Sequence, residues 1–197
     1  MLETDPLFCS LGEWILKTAL IAAKKIRETN KEFVMNVNLS YSQLERTDFV
    51  DMVFRTLREV GYPAENLCLE ITERCRLLNM EMLNNKVVNL RGRGVKIALD
   101  DFGTGFSSVG LVKNLTFDVI KIDRSFVRKI EEDETERKLI ENFMNLGSIF
   151  GATICVEGIE TANMRDIIRG YNVRSMQGYF FAKPLPFDEF ITWEHKE

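Results

Sequence analysis

The sequence predicts an α/β fold built on a parallel sheet. Two observations predict it: short apolar runs rich in β-branched residues recur along the chain, and amphipathic segments with helical spacing lie between them. A third, the polar residues at the ends of the runs, selects a barrel over an open sheet. The runs are FVMNVNLS (33–40), NLCLEITE (66–73), GVKIALDD (94–101), FDVIKID (117–123), ATICVEGIE (152–160) and MQGYFFA (176–182). Each reads as a strand buried on both faces, as in a sheet covered by helices. Three intervening segments carry an apolar helical face: Leu16, Ala19, Leu20 and Ala23, then Val50, Val53, Phe54 and Leu57, then Leu139, Phe143, Leu146 and Phe150. Gly61, Gly94, Gly151 and Gly170 stand where helices should stop, as C-terminal caps. No low-complexity linker interrupts this alternation.

Alternation of this kind suits an open doubly wound sheet or a closed (β/α)8 barrel. Asn38, Glu70, Asp100 with Asp101, Asp123, Glu157 and Gln177 all lie in or just after their runs, mostly near the C-terminal end. Six strand ends converging on one point is barrel geometry, because an open sheet gathers only those near its switch point. Side-chain alternation puts Asn36 with Asn38, Glu70 with Thr72, and Lys121 with Asp123 on shared faces. A barrel of ~250 residues spends about 30 per βα unit, so a shorter chain with six runs forms an incomplete barrel of about six units.

Composition narrows the function classes. At 197 residues and 45% hydrophobic content the chain can bury a sizeable core as one domain. No apolar stretch approaches the ~20 residues that span a bilayer, and the acidic start is unlike a signal peptide, so a cytoplasmic location is expected. A net charge of −4 argues against a nucleic-acid polymer as partner. Cys9, Cys68, Cys75 and Cys155 show neither a CxxC pair nor regular spacing, so reduced, buried thiols are expected rather than a zinc site or disulfides. His195 is the single histidine, which excludes mechanisms built on a His triad or a multi-His metal site.

What chemistry exists must therefore use carboxylates, amides and lysine. Carboxylates after strands also serve as helix caps or solvated loop residues, and Asp101 before Phe102-Gly103 would suit a plain turn. Lys121 is harder to place so simply. It sits between Ile120 and Ile122 in a buried run, where an ammonium needs an anionic partner such as Asp123 or the other carboxylates. Gly103, Thr104 and Gly105 form a GTG turn without Walker spacing, and the DFG triplet lacks the HRD of a protein kinase. Hard oxygen donors with one lysine and no imidazole suit a pair of Mg²⁺ or Mn²⁺ ions, which can support an in-line phosphoryl displacement.

The motifs VNLSYSQL, LCLEITE, ALDDFGTGFSS, FDVIKIDRSFV, VEGIET and QGYFFAKPLP, in this order, resemble the EAL family of cyclic di-GMP phosphodiesterases from about Leu11 to Phe190. The resemblance implies a TIM-like barrel that linearises cyclic di-GMP to pGpG with Mg²⁺ or Mn²⁺. It implies that Asn38, Glu70, Asp100, Asp101 and Asp123 serve the metals, with Asp123 also supporting Lys121. It further implies that Lys121 and Glu157 position or deprotonate the attacking water, and that Gln177 contacts a guanine. Glu73 and Glu160 would anchor the loop of Gly103, Thr104 and Gly105 from behind. The Glu-Ala-Leu segment that names the family is absent, so residues 1–197 are expected to be an EAL domain lacking its first two strands and one metal-ligand Glu. Impaired hydrolysis by this chain is therefore expected, with a non-catalytic cyclic di-GMP receptor or interaction domain as the alternative. Unpaired strand edges would favour self-association or contact with a further segment.

Overall fold

The computed structural model describes residues 6–104, 108–171 and 173–193. Among them six strands form one sheet: β1 (Met35–Leu39), β2 (Leu67–Thr72), β3 (Lys96–Phe102), β4 (Val119–Ile122), β5 (Thr153–Val156) and β6 (Ser175–Met176). They lie side by side in chain order, every neighbouring pair parallel, and the sheet curves as a half-barrel with β1 and β6 at its edges. The helices are α1 (Pro6–Ile26), α2 (Tyr41–Glu45), α3 (Phe49–Val60), α4 (Met80–Gly92), α5 (Ser108–Asn114), α6 (Glu134–Phe150), α7 (Ala162–Arg169) and α8 (Phe187–Phe190). No helix of the described residues is long and apolar enough to cross a membrane.

The period-two pattern of the strands explains both faces of this sheet. One set of alternate residues, Leu39, Leu69, Ile71, Ile97, Leu99, Ile120, Ile122, Ile154 and Val156, is buried beneath the helices. Each such side chain contributes about 1.5–3 kcal/mol by leaving water. The other set, Asn36, Cys68, Glu70, Ala98, Val119, Lys121 and Cys155, lines a concave cavity of 550 Å³. Small or polar side chains on that face leave room inside the arc.

Several strand expectations need correction. The last run pairs over Ser175–Met176 alone, although 176–182 reads as a strand. Beyond it the backbone folds back on the loop after β5, with Phe180 N–H donating to the Ile159 carbonyl at 2.9 Å. Gly178 permits this approach, since a Cβ there would lie 2.1 Å from that same oxygen. The run 152–160 likewise shortens to Thr153–Val156. Nor is every strand buried on both faces, for Asn36 and Asn38 are exposed where the arc opens. Gly61 and Gly151 end α3 and α6 in the left-handed conformation as expected, whereas Gly170 ends α7 with an ordinary φ of −62°.

Structural polar contacts lock the N-terminal ends of the strands. Asp118 accepts from Ile97 N–H at 2.8 Å and from both Arg91 guanidinium arms at 3.0 and 2.8 Å, tying β4 to β3 and α4. Cys68, Cys75 and Cys155 are free and buried, the expected state. The side chain of Cys9, and Gly105 and His195 altogether, lie outside the described residues.

Candidate active site

Lys121 is the centre of the arrangement. Projecting inward from β4 with its side chain 7% exposed, its ammonium lies 2.8 Å from Glu70 Oε2, 3.0 Å from Asp100 Oδ1 and 2.8 Å from Glu157 Oε1. These carboxylates come from β2, from β3 and from the residue after β5, so the side-by-side strands bring them together. Lys121 takes its partners from these three and not from Asp123, whose carboxylate instead accepts from Ser125 N–H at 2.9 Å and caps a 3-10 turn. The cause is positional: Asp123 follows the last paired residue of β4, where the chain already turns.

The adjacency of Asp100 and Asp101 poses a geometric problem, because neighbours on a strand point to opposite faces. The structure solves it with a bulge and a strained residue. Between Leu99 and Phe102 of β3 the pairing with β4 slips, so that two residues of β3 face Lys121 alone. Asp101 there adopts a φ of 55°, the left-handed region, and is the one non-glycine residue to do so among those described. Such a conformation costs of order 1–3 kcal/mol. The turn is fastened from its far side, where Thr104 donates its hydroxyl to the Asp101 carbonyl at 2.9 Å. Gly103 N–H donates to buried Glu73 at 3.1 Å. Gly103 itself sits against Phe126, whose ring a Cβ would meet at 2.6 Å. As a result one carboxylate oxygen from each of Asp100, Asp101 and Glu157 lies within 4.8 Å of the other two.

Asn38 closes the group. Its terminal amide atom lies 3.3 Å from both Glu70 Oε2 and Asp100 Oδ2. As nitrogen it donates to both; turned over, its oxygen joins them as a third oxygen donor, a set suited to a hard cation. Electrostatics agree. Burial pushes the Glu70 and Glu157 carboxyls up from the usual range against the pull of Lys121, and the charge of Asp100 pushes the same way. Asp101 is raised by burial and then by Asp100 and Asp123. Burial works against the Lys121 ammonium, yet the hydrogen bonds it donates to Glu157 and Glu70 outweigh that penalty and hold its pKa above the ordinary value. One ammonium among the carboxylates of Glu70, Asp100, Asp101 and Glu157 leaves three surplus negative charges, so the donor set fits divalent cations.

Glu160 and Gln177 are exposed, and among the described residues neither joins the ion pairs around Lys121. Beside the carboxylates lies a cavity of 510 Å³ whose wall includes Asn38, Asp101, Thr104, Tyr41, Gln43 and Arg74. The sequence reading did not single out Tyr41, Gln43 or Arg74. Gln43 had a signal: Ser40 and Gln43 have capping-box spacing, and both reciprocal bonds form at the start of α2. Arg74 had none, since an arginine beyond a strand end reads as a solvated surface residue.

The family model described as "EAL domain" matches residues 1–184. The cyclic di-GMP phosphodiesterase NbdA of Pseudomonas aeruginosa is 30% identical over 193 residues, which is 96% of this chain and 25% of that protein. Among solved structures, the EAL enzyme Bd1971 with cAMP and cyclic di-GMP bound superposes with a TM-score of 0.90 at 29% identity, covering 96% of this chain and 53% of that one. The EAL domain of Mycobacterium smegmatis DcpA gives a TM-score of 0.88 at 33% identity, covering 92% and 82%. The chain spans from 23% to 30% of the length of the curated relatives it matches.

Proposed function

The chain belongs to the EAL domain family, and from that premise we propose that its carboxylate and lysine centre binds cyclic di-GMP and supports hydrolysis of one phosphodiester to pGpG. The observation that carries this reading is Lys121 held at 2.8–3.0 Å by Glu70, Asp100 and Glu157 at the C-terminal ends of parallel strands. Barrel enzymes place their chemistry at that end. A phosphoric diester hydrolase is the enzyme class this implies.

Asn38, Glu70, Asp100 and Asp101 are the residues that would hold Mg²⁺ or Mn²⁺, two ions given how many carboxylates share the spot, with Asp123 adjoining Asp101. Bound there, the ions would polarise the phosphoryl oxygens and lower the pKa of water. Glu157, whose carboxyl burial pushes up from the usual range, is the group that would take a proton from the attacking water. Lys121 orients that water through its ion pair with Glu157 and offers a fixed positive charge to the phosphoryl oxygens. The water oxygen bonds to phosphorus as one P–O ester bond breaks, leaving a linear dinucleotide. Glu73 holds the Gly103 turn that presents Asp101, and Gln177 and Glu160 flank the opening.

In organisation we infer one EAL unit over residues 1–197 whose arc of six strands takes two further βα units to close, and a cytoplasmic location. The open edges of β1 and β6 favour self-association or pairing with a further segment. The experiment is chromatography of cyclic di-GMP with Mn²⁺, on this chain and on a form joined upstream to two βα units bearing a Glu-Ala-Leu strand. Production of pGpG by the joined form supports a phosphodiesterase. Binding without turnover in both forms favours a receptor of the same fold, and failure of both forms to bind refutes the reading.

A further inference from the structure

The clustered oxygens of Asp100, Asp101 and Glu157 come from two segments, the end of β3 and the turn after β5. Strand pairing fixes these segments incompletely, since the register of β3 with β4 slips between Leu99 and Phe102 and β5 ends one residue before Glu157. Both rest on one short element, the 3-10 turn Arg124–Phe126 that follows β4. Phe126 lies against Gly103, where a Cβ would meet its ring at 2.6 Å. Arg124 lies against Gly158, where a Cβ would overlap the Arg124 Cβ and stand 3.0 Å from its Cα. Gly103 and Gly158 both have a positive φ, 95° and 76°, so the turn that carries Asp101 and the turn that follows Glu157 need glycine for conformation as well as for space. The Phe126 ring is backed in turn by Phe143 of α6, edge to face with centroids 5.2 Å apart. Phe143 packs in the same manner on Phe102, the residue between Asp101 and Gly103, at 5.6 Å.

We propose that the turn Arg124–Phe126 sets the spacing of Asp101 and Glu157 about a divalent cation, with Phe126 and the Arg124 backbone as positioning residues on its two sides. The inference rests on the functional reading above and adds to it the parts that hold the cation ligands in place. Lys121, Ile122 and Asp123 lead directly into the turn, so the ammonium and both supports share one anchor. Asp123 thereby gains a task that needs no ion pair with Lys121, because its carboxylate caps the turn through Ser125 N–H. Ligand oxygens bind a metal well only when held within about 0.5 Å of the productive geometry by packed supporting groups. A ring filling the space behind Gly103 and a backbone filling the space behind Gly158 provide that support from a single element.

The test measures Mn²⁺ dissociation constants by calorimetry, with thermal midpoints in EDTA as a separate measure of folding. Phe126→Ala empties the space against Gly103, and Gly158→Ala drives a methyl group into Arg124. Each is expected to weaken Mn²⁺ binding by about tenfold to a hundredfold, the scale for groups that orient metal ligands. Phe126→Leu keeps apolar volume beside Phe143 and is expected to weaken binding in the same direction by a smaller factor; it decides the Phe126 side if the alanine variant does not fold. Gly151 supplies the control: it has a comparable φ of 67°, open space around it, and a place at the opposite end of β5 from Glu157. Gly151→Ala should lower the thermal midpoint in EDTA and keep the Mn²⁺ constant of the parent. Parental constants in Phe126→Leu and Gly158→Ala, or equal weakening in Gly151→Ala, overturn the assignment. Weakening on one side of the turn alone overturns the shared role. A parent chain that binds no Mn²⁺ refutes the functional reading itself, and the positioning role with it.

Discussion

Replacing Lys121 by alanine removes the one positive charge buried among Glu70, Asp100 and Glu157. Their side chains are 4%, 14% and 18% exposed, so water compensates little of the loss. Removing one partner of a buried ion pair typically costs 3–5 kcal/mol. For a domain of this size each kcal/mol moves the thermal midpoint by about 2–4 °C, so a fall of roughly 6–20 °C is expected in EDTA at pH 8. The deficit should depend on pH with a definite sign. Glu70 and Glu157 already lie above their ordinary range, and loss of the ammonium raises them further. Between the unfolded value and this raised folded value the native state binds more protons than the unfolded state. Stability of the variant therefore increases as pH falls toward 5 and decreases as it rises. Urea titrations at pH 5 and pH 8, followed by circular dichroism, measure both effects. A variant with unchanged stability, or with a deficit that grows on acidification, would show that the three carboxylates do not depend on Lys121.

Three further outcomes follow from the same geometry. Mn²⁺ should raise the thermal midpoint and EDTA lower it, while Asp100→Asn flattens that response; equal shifts in parent and variant would mean that cations bind elsewhere. Asp101→Gly should relieve the left-handed strain, leaving stability unchanged or up to about 1 kcal/mol higher, and yet should weaken the Mn²⁺ response. A loss of several kcal/mol would show instead that the Asp101 side chain supports the fold. Burial pushes the Cys68 thiol up to about 12 and the Cys75 thiol up to about 11, so at pH 8 roughly one molecule in a thousand or fewer carries either thiolate. In a Cys9→Ser background the native chain should leave a disulfide reagent almost unconsumed until denaturant is added, and fast native labelling would contradict the burial.

The strands were legible because a parallel sheet covered by helices demands continuous apolar runs, and β2 and β3 supply them residue by residue. Glu70 and Lys121 were legible for a related reason, since a charge inside such a run is tolerated only with a partner. The identity of the partner was not. Period two pairs Lys121 with Asp123 along one strand, whereas the ion pairs run across the sheet, and cross-strand distance is absent from a linear pattern. The Asp100 and Asp101 arrangement escaped for the opposite reason. It depends on a bulge and a positive φ, both departures from the periodicity that made the strand visible. The aromatic run at Phe180 and Phe181 misled in the same way, as β-propensity gave way to the close passage of Gly178 over Ile159. Arg74 and the cavity wall contributed by α1 were invisible because α1 and the turn after β2 meet only in space.

The measurement that bears most directly on the proposed function is chromatographic detection of pGpG from cyclic di-GMP and Mn²⁺. It should be made with the chain joined to two upstream βα units bearing a Glu-Ala-Leu strand, in parallel with its Lys121→Ala variant. Accumulation of pGpG that EDTA abolishes, and that Lys121→Ala slows by ~10²-fold or more, is the expected result. No pGpG from the joined form, or equal rates with and without Lys121, would contradict the assignment of this centre.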